Sequence, residues 1–138
     1  MPHETEKRDH QRLCKPYRVE IREFTFPMQR QPSIEVHSAD ISGGGLLVHC
    51  SRRFLVGDKL QVTIDIPSLN KFHPGFFKVF ESDVGQSLTA VAEVIWIQEV
   101  APLRDYAIGL KFLDIYEDDW KALENMILKE LRKQQDAA

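Results

Sequence analysis

Cysteine is scarce: Cys14 and Cys50 are the only two in 138 residues. They are too few and too widely separated for a disulfide framework or a zinc site, and they read as reduced thiols of a cytoplasmic protein. Long apolar runs are missing too. Nothing approaches the ~18 consecutive apolar residues of a membrane span, and the opening MPHETEKRDHQR lacks the apolar segment of a secretory signal. Membrane insertion is therefore not expected. An excess of positive charge is also absent, and a net charge of −3 argues against a general nucleic-acid binder. His3, His10, His37, His49 and His73 are scattered without metal-ligand spacing, so no metal site is expected. No nucleophile–base set stands out, and the chain does not read as an enzyme. Gly43-Gly44-Gly45 fits neither a phosphate-binding loop nor a dinucleotide fingerprint.

What is present describes one ordinary globular domain, with 43% hydrophobic and 28% charged residues. A chain of this length can bury a core without a metal or disulfide staple. Its charge is unevenly spread. Lys7, Arg8, Arg12, Lys15 and Arg18 face a single acid, Asp9, between positions 7 and 18, whereas Asp114, Glu117, Asp118 and Asp119 cluster late in the chain. A basic head on an acidic chain suggests a local anion site.

Strand patterns dominate. YRVEIREF (17–24) alternates with Tyr17, Val19 and Ile21 on one face, the period of a half-buried strand. SIEVHSADIS (33–42) resumes it after the connection framed by Pro27 and Pro32. Ile41 falls out of phase with Ile34 and Val36, so a bulge or bend is expected near Ser38. GLLVHC (45–50) follows, then a Gly57-Asp58 turn and KLQVTIDI (59–66), with Leu60, Val62, Ile64 and Ile66 inward. Residues 67–86 are irregular, with Pro74-Gly75 as a turn signal. SLTAVAEVIWIQEV (87–100) and DYAIGLKFLDI (105–115) complete the strands, and Trp96 reads as core. Many short strands without intervening helices indicate an antiparallel barrel or sandwich. From Asp118, the spacing of Trp120, Leu123, Ile127 and Leu131 predicts a helix over about 118–133, with acids at its start and Lys129, Arg132 and Lys133 at its end.

Two spacings carry chemistry. Asp40 and Ser42 leave the same face of an extended chain. A carboxylate beside a hydroxyl could read the Watson–Crick edge of a guanine, and the following glycines would let a flat ligand lie near the backbone. The same residues also make an ordinary turn, with Asp and Ser bonding their own backbone. Arg8 and Arg12, four apart, fall on roughly one side of the chain and could clamp phosphates bidentately, or simply belong to a solvated basic terminus.

Taken together, Arg-x-x-x-Arg at 8–12 and Asp-x-Ser-x-x-Gly at 40–45 resemble the paired signature of the PilZ domain family. DISGGGLLV, FLVGDKLQVTI, AEVIWI and YAIGLKF extend the resemblance from about Lys7 to the C-terminal helix. It implies an all-β fold, a six-stranded antiparallel β-barrel of Greek-key type with a C-terminal α-helix, acting as a receptor for cyclic di-GMP without any other cofactor. It places Lys7, Arg8, Arg12, Asp40, Ser42, Gly44 and Gly45 at the ligand. Arg8 and Arg12 would hold phosphates and stack on guanine, Asp40 and Ser42 would read a guanine edge, and Gly45 would keep the approach open. A basic residue at Lys7 is compatible with a stacked ligand dimer. Residues 1–14 would be a flexible basic arm, and 15–133 the barrel with its helix. A downstream protein partner is implied, with a homodimer left open. The rival readings are a ligand-blind interaction module and a small RNA-binding barrel.

Overall fold

A computed structural model describes residues 11–72 and 87–137. Lys7, Arg8, His3, His10, His73 and the Pro74-Gly75 turn therefore lie outside the described residues. The described residues form seven strands: β1 (Arg12–Leu13), β2 (Arg18–Glu23), β3 (Ile34–Ser42), β4 (Gly45–Cys50), β5 (Lys59–Asp65), β6 (Ser87–Ala101) and β7 (Asp105–Ile115). A helix, α1 (Glu117–Ala137), follows, and short 3-10 turns occupy Met28–Arg30 and Leu69–Phe72.

Antiparallel pairing runs β3-β2-β5-β6-β7-β4 and returns from β4 to β3, which closes a six-stranded barrel; β1 is an additional strand on β3. The alternation seen in the sequence becomes the barrel wall. Val19 and Ile21 of β2, Leu60, Val62 and Ile64 of β5, and Leu88, Ala90, Ala92 and Val94 of β6 all point inward and are buried. Fully burying each larger apolar side chain contributes about 1.5–3 kcal/mol, so this interior is the main source of stability. Gly57 takes a left-handed φ of 98° in the β4–β5 connection, where the Asp58 carboxylate accepts from the Leu55 N–H at 2.9 Å.

The expected irregularity in β3 is present, with the β3–β4 register shifting between Ser38 and Asp40. Ser38, 3% exposed, and Ile41, 0% exposed, both end up inside despite their odd spacing. Ser38 also closes a gap in the wall. Both β1 and β2 pair with the same edge of β3, and the residues between them cannot continue the ladder. The Ser38 hydroxyl donates to the Lys15 carbonyl and accepts from the Tyr17 N–H, each at 2.9 Å. Arg12 and Leu13, which the sequence assigns to the arm, thus belong to the sheet, and Leu13 is fully buried.

The helix begins one residue earlier and ends four later than its apolar stripe predicts. Ala122, Leu123, Met126 and Ile127 are buried, packed toward the Leu69–Phe72 turn, β1 and β3. Beyond Leu131 it continues on exposed polar residues. Cys50 is buried and Cys14 exposed, and both are free; burial pushes the Cys50 thiol pKa up.

Candidate functional site

The bulge in β3 sets the site. With Ile41 turned inward, Asp40 and Ser42 face outward, as their two-residue spacing requires. Cross-strand register then lines up two rows over the outer face of the barrel. One runs Asp40, Leu47, Gly109, Trp96, and the other runs Arg12, Ser42, Gly45, Lys111. Together with Gly44, Leu46, Ile95 and Leu110 they line a cleft of about 190 Å³.

Within it, Arg12 Nη1 lies 3.8 Å from Asp40 Oδ2, with the guanidinium side chain 45% and the carboxylate side chain 18% exposed. The structure thus brings together Arg12, Asp40, Ser42, Gly44 and Gly45, while Lys7 and Arg8 lie outside the described residues. The turn and ligand readings divide between the two polar side chains. Ser42 Oγ accepts from the Gly44 N–H at 3.1 Å and donates to the Gly45 carbonyl at 3.4 Å, so the serine braces its own turn. Arg12 is the partner of Asp40 among the described residues, and Asp40 lines the cleft.

Gly45 is required by the barrel as well. A Cβ there would sit 1.9 Å from the carbonyl oxygen of Leu110, so β4 and β7 approach at a distance that admits only hydrogen. Gly109 accommodates the indole of Trp96, since a Cβ at that position would lie 2.2 Å from Nε1. Trp96 is therefore not core. The β6–β7 register shifts between Val94 and Trp96, which turns the indole outward to 41% exposure beside Ile95. Sequence reasoning missed Trp96, Ile95, Leu47 and Lys111. The Gly109–Trp96 pairing was the available signal, but it depends on a register that local alternation does not reveal.

The helix α1 reaches the same hairpin, where Trp120 Nε1 donates to the Gly43 carbonyl at 2.8 Å. The cleft therefore offers a carboxylate acceptor, two cations, exposed backbone and an aromatic wall. That set suits a planar, hydrogen-bonding, anionic ligand.

A family model described as PilZ domain matches residues 6–129. The chain belongs to the PilZ domain family. Solved structures agree on the fold. The Bacillus subtilis inhibitor of motility MotI/DgrA superposes with a TM-score of 0.69 at 19% identity, over 96% of this chain and 57% of its own. The c-di-GMP-bound PilZ domain of YcgR from Escherichia coli gives 0.61 at 13% identity over 96% and 99%. The K. pneumonia MrkH–c-di-GMP complex gives 0.66 at 13% identity over 96% and 55%. This PilZ chain thus spans about half the length of the longer relatives and nearly all of the isolated YcgR domain. No curated protein matches it in sequence.

Proposed function

We propose that this PilZ domain is a c-di-GMP receptor whose bound and free states signal to a downstream protein in the cytoplasm. The observation that carries the reading is the meeting of the two signature halves, Arg12 and Asp40, 3.8 Å apart at one cleft. YcgR and MrkH, both seen with c-di-GMP, share the fold and lend support.

In this reading Asp40 accepts the adjacent N–H donors of a guanine edge, and Arg12 leaves Asp40 to clamp a phosphate. The Trp96 indole supplies a face on which a base lies, and Gly44 and Gly45 let it approach the backbone. Arg8 adds a second fork, and Lys7 a further cation. Partial burial of Asp40 strengthens its hydrogen bonds by excluding competing water. The reading assigns binding and no catalysis. Its output passes through whatever the ligand moves, and the Gly43 hairpin with α1 attached is the nearest such element.

Titration calorimetry with c-di-GMP, set against GTP and cyclic AMP, tests the proposal. Saturable binding of c-di-GMP alone is expected, weakened at least ~10-fold in Arg12→Ala by loss of charge-assisted hydrogen bonding. A flat trace with folded protein would instead leave a ligand-blind interaction module.

A further inference from the structure

A second concavity, of about 610 Å³, lies between α1, the Leu69–Phe72 turn and the start of β2, and among the described residues shares no lining residue with the cleft at Asp40. Its volume falls in the range of small-molecule pockets. Among the described residues five cations line it (Lys15, Arg18, Lys71, Lys129 and Lys133) against two carboxylates, Asp65 and Glu130, in a chain whose net charge is −3.

The two carboxylates do not neutralise all of the lysines. Asp65 is taken by Arg18 at 2.7 Å, and Arg18 also reaches Glu20 and Glu35 on the outer face. Glu130 is shared between Lys15 at 3.5 Å and Lys133 at 3.6 Å. Lys71 and Lys129 have no carboxylate partner among the described residues; Lys129 instead lies 5.5 Å from the centroid of the Phe72 ring. Lys129 and Lys133 are four apart on α1, a spacing at which like charges repel. Three separate elements therefore deliver ammonium groups to one hollow whose walls include Pro16, Pro67 and Phe72.

We propose that this groove binds a small soluble organic polyphosphate. Lysines act as point charges without a planar fork, which suits the dispersed charge of linked phosphates better than a lone carboxylate. Several ammonium groups facing one hollow favour a ligand with more than one charge. The apolar wall takes the organic body of the ligand. In its absence Glu130 acts as an internal counter-anion that any ligand must displace from Lys15 and Lys133.

That arrangement predicts effects of opposite sign. Calorimetry with inorganic pyrophosphate should give one saturable site that weakens as salt rises, because half-exposed charges are screened. The double variant Lys71→Ala/Lys129→Ala should weaken it at least ~10-fold, the scale of one charge-assisted hydrogen bond. Glu130→Gln should tighten it about 3-fold, the scale of a partly exposed ion pair. A control pair outside the groove, Lys59→Ala/Lys121→Ala, should leave it unchanged. No binding by the wild-type chain, or equal binding by the Lys71/Lys129 variant, would overturn the proposal. So would tighter binding of an oligoglutamate peptide or of phosphatidic acid vesicles, which would assign the groove to an acidic protein or a lipid surface. Titration of c-di-GMP against the same lysine variant should be unaltered, so failure of this site and failure of the receptor reading are separable.

Discussion

The cleft at Asp40 and the groove at Lys129 both carry cations in their walls, yet they are built in opposite ways. Every polar group of the cleft stands on a paired strand or its hairpin, so its place is fixed by register and by a glycine that tolerates no side chain. The groove draws its lysines from a strand link, a 3-10 turn and a helix, each on a long flexible stem. The first arrangement can discriminate shape and hydrogen-bond pattern; the second can recognise little beyond charge and size. One barrel thus presents a selective surface and a permissive one, and the difference lies in how much of each lining stands on paired strands.

The most disruptive way to separate them is Gly45→Ala. The added methyl meets the backbone of Leu110 and Lys111, which has nowhere to retreat without parting β4 from β7. A loss of about 3 kcal/mol or more is expected in urea unfolding, at the upper end of overpacking. An unchanged midpoint would show that the strand contact is looser than its geometry. Next comes Asp40→Ala, which should cost about 1.5–3 kcal/mol of c-di-GMP binding by deleting a charged acceptor. It should leave pyrophosphate binding at the groove untouched. Equal losses at both places would dissolve the distinction. Trp96→Ala should be slightly milder, with about 1–3 kcal/mol lost per stacked base. Wild-type affinity in that variant would reduce the indole to a cover for Gly109.

The smallest effect belongs to Tyr17, beside the groove. Burial, with a further contribution from Glu130, pushes its pKa from 10.0 up to about 12. The unfolded chain therefore releases this proton first. The stability it confers is complete below pH 10 and is lost as pH rises toward 12. After allowance for solvent screening the loss is about 1 kcal/mol. Tyr17→Phe should flatten the unfolding free energy across that window and change little at pH 7.

Sequence legibility follows the same division. The barrel was readable because strands report their faces at period two, and β7 emerges with the expected bounds, Asp105–Ile115. The bulge at Ser38 was readable because Ile41 breaks phase between apolar neighbours. The bulge before Trp96 was hidden, since Ile95, Trp96 and Ile97 are all apolar and any phase fits them. Strand β1 was hidden because a single buried leucine has no period. The groove was out of reach, as Lys15, Lys71 and Lys129 become neighbours only through tertiary packing. Of the signature residues that are described, Asp40 and Ser42 are local to one strand and Arg12 pairs opposite Ser42, so their meeting was legible once β1 was placed.

Trp120 gives α1 a foot on the Gly43 carbonyl, and ten residues later Glu130 stands in the groove. At 1.5 Å per residue the helix is a strut about 15 Å long between the two places. A strut does not stretch, so a hairpin displaced by a ligand must either snap the indole bond or push the lysines. Whatever coupling results is mutual by thermodynamic necessity: pyrophosphate must alter c-di-GMP affinity by the same factor that c-di-GMP alters pyrophosphate affinity. Titrating the two in either order measures that factor, and a value of one would mean that the Trp120–Gly43 hydrogen bond yields before the lysines move.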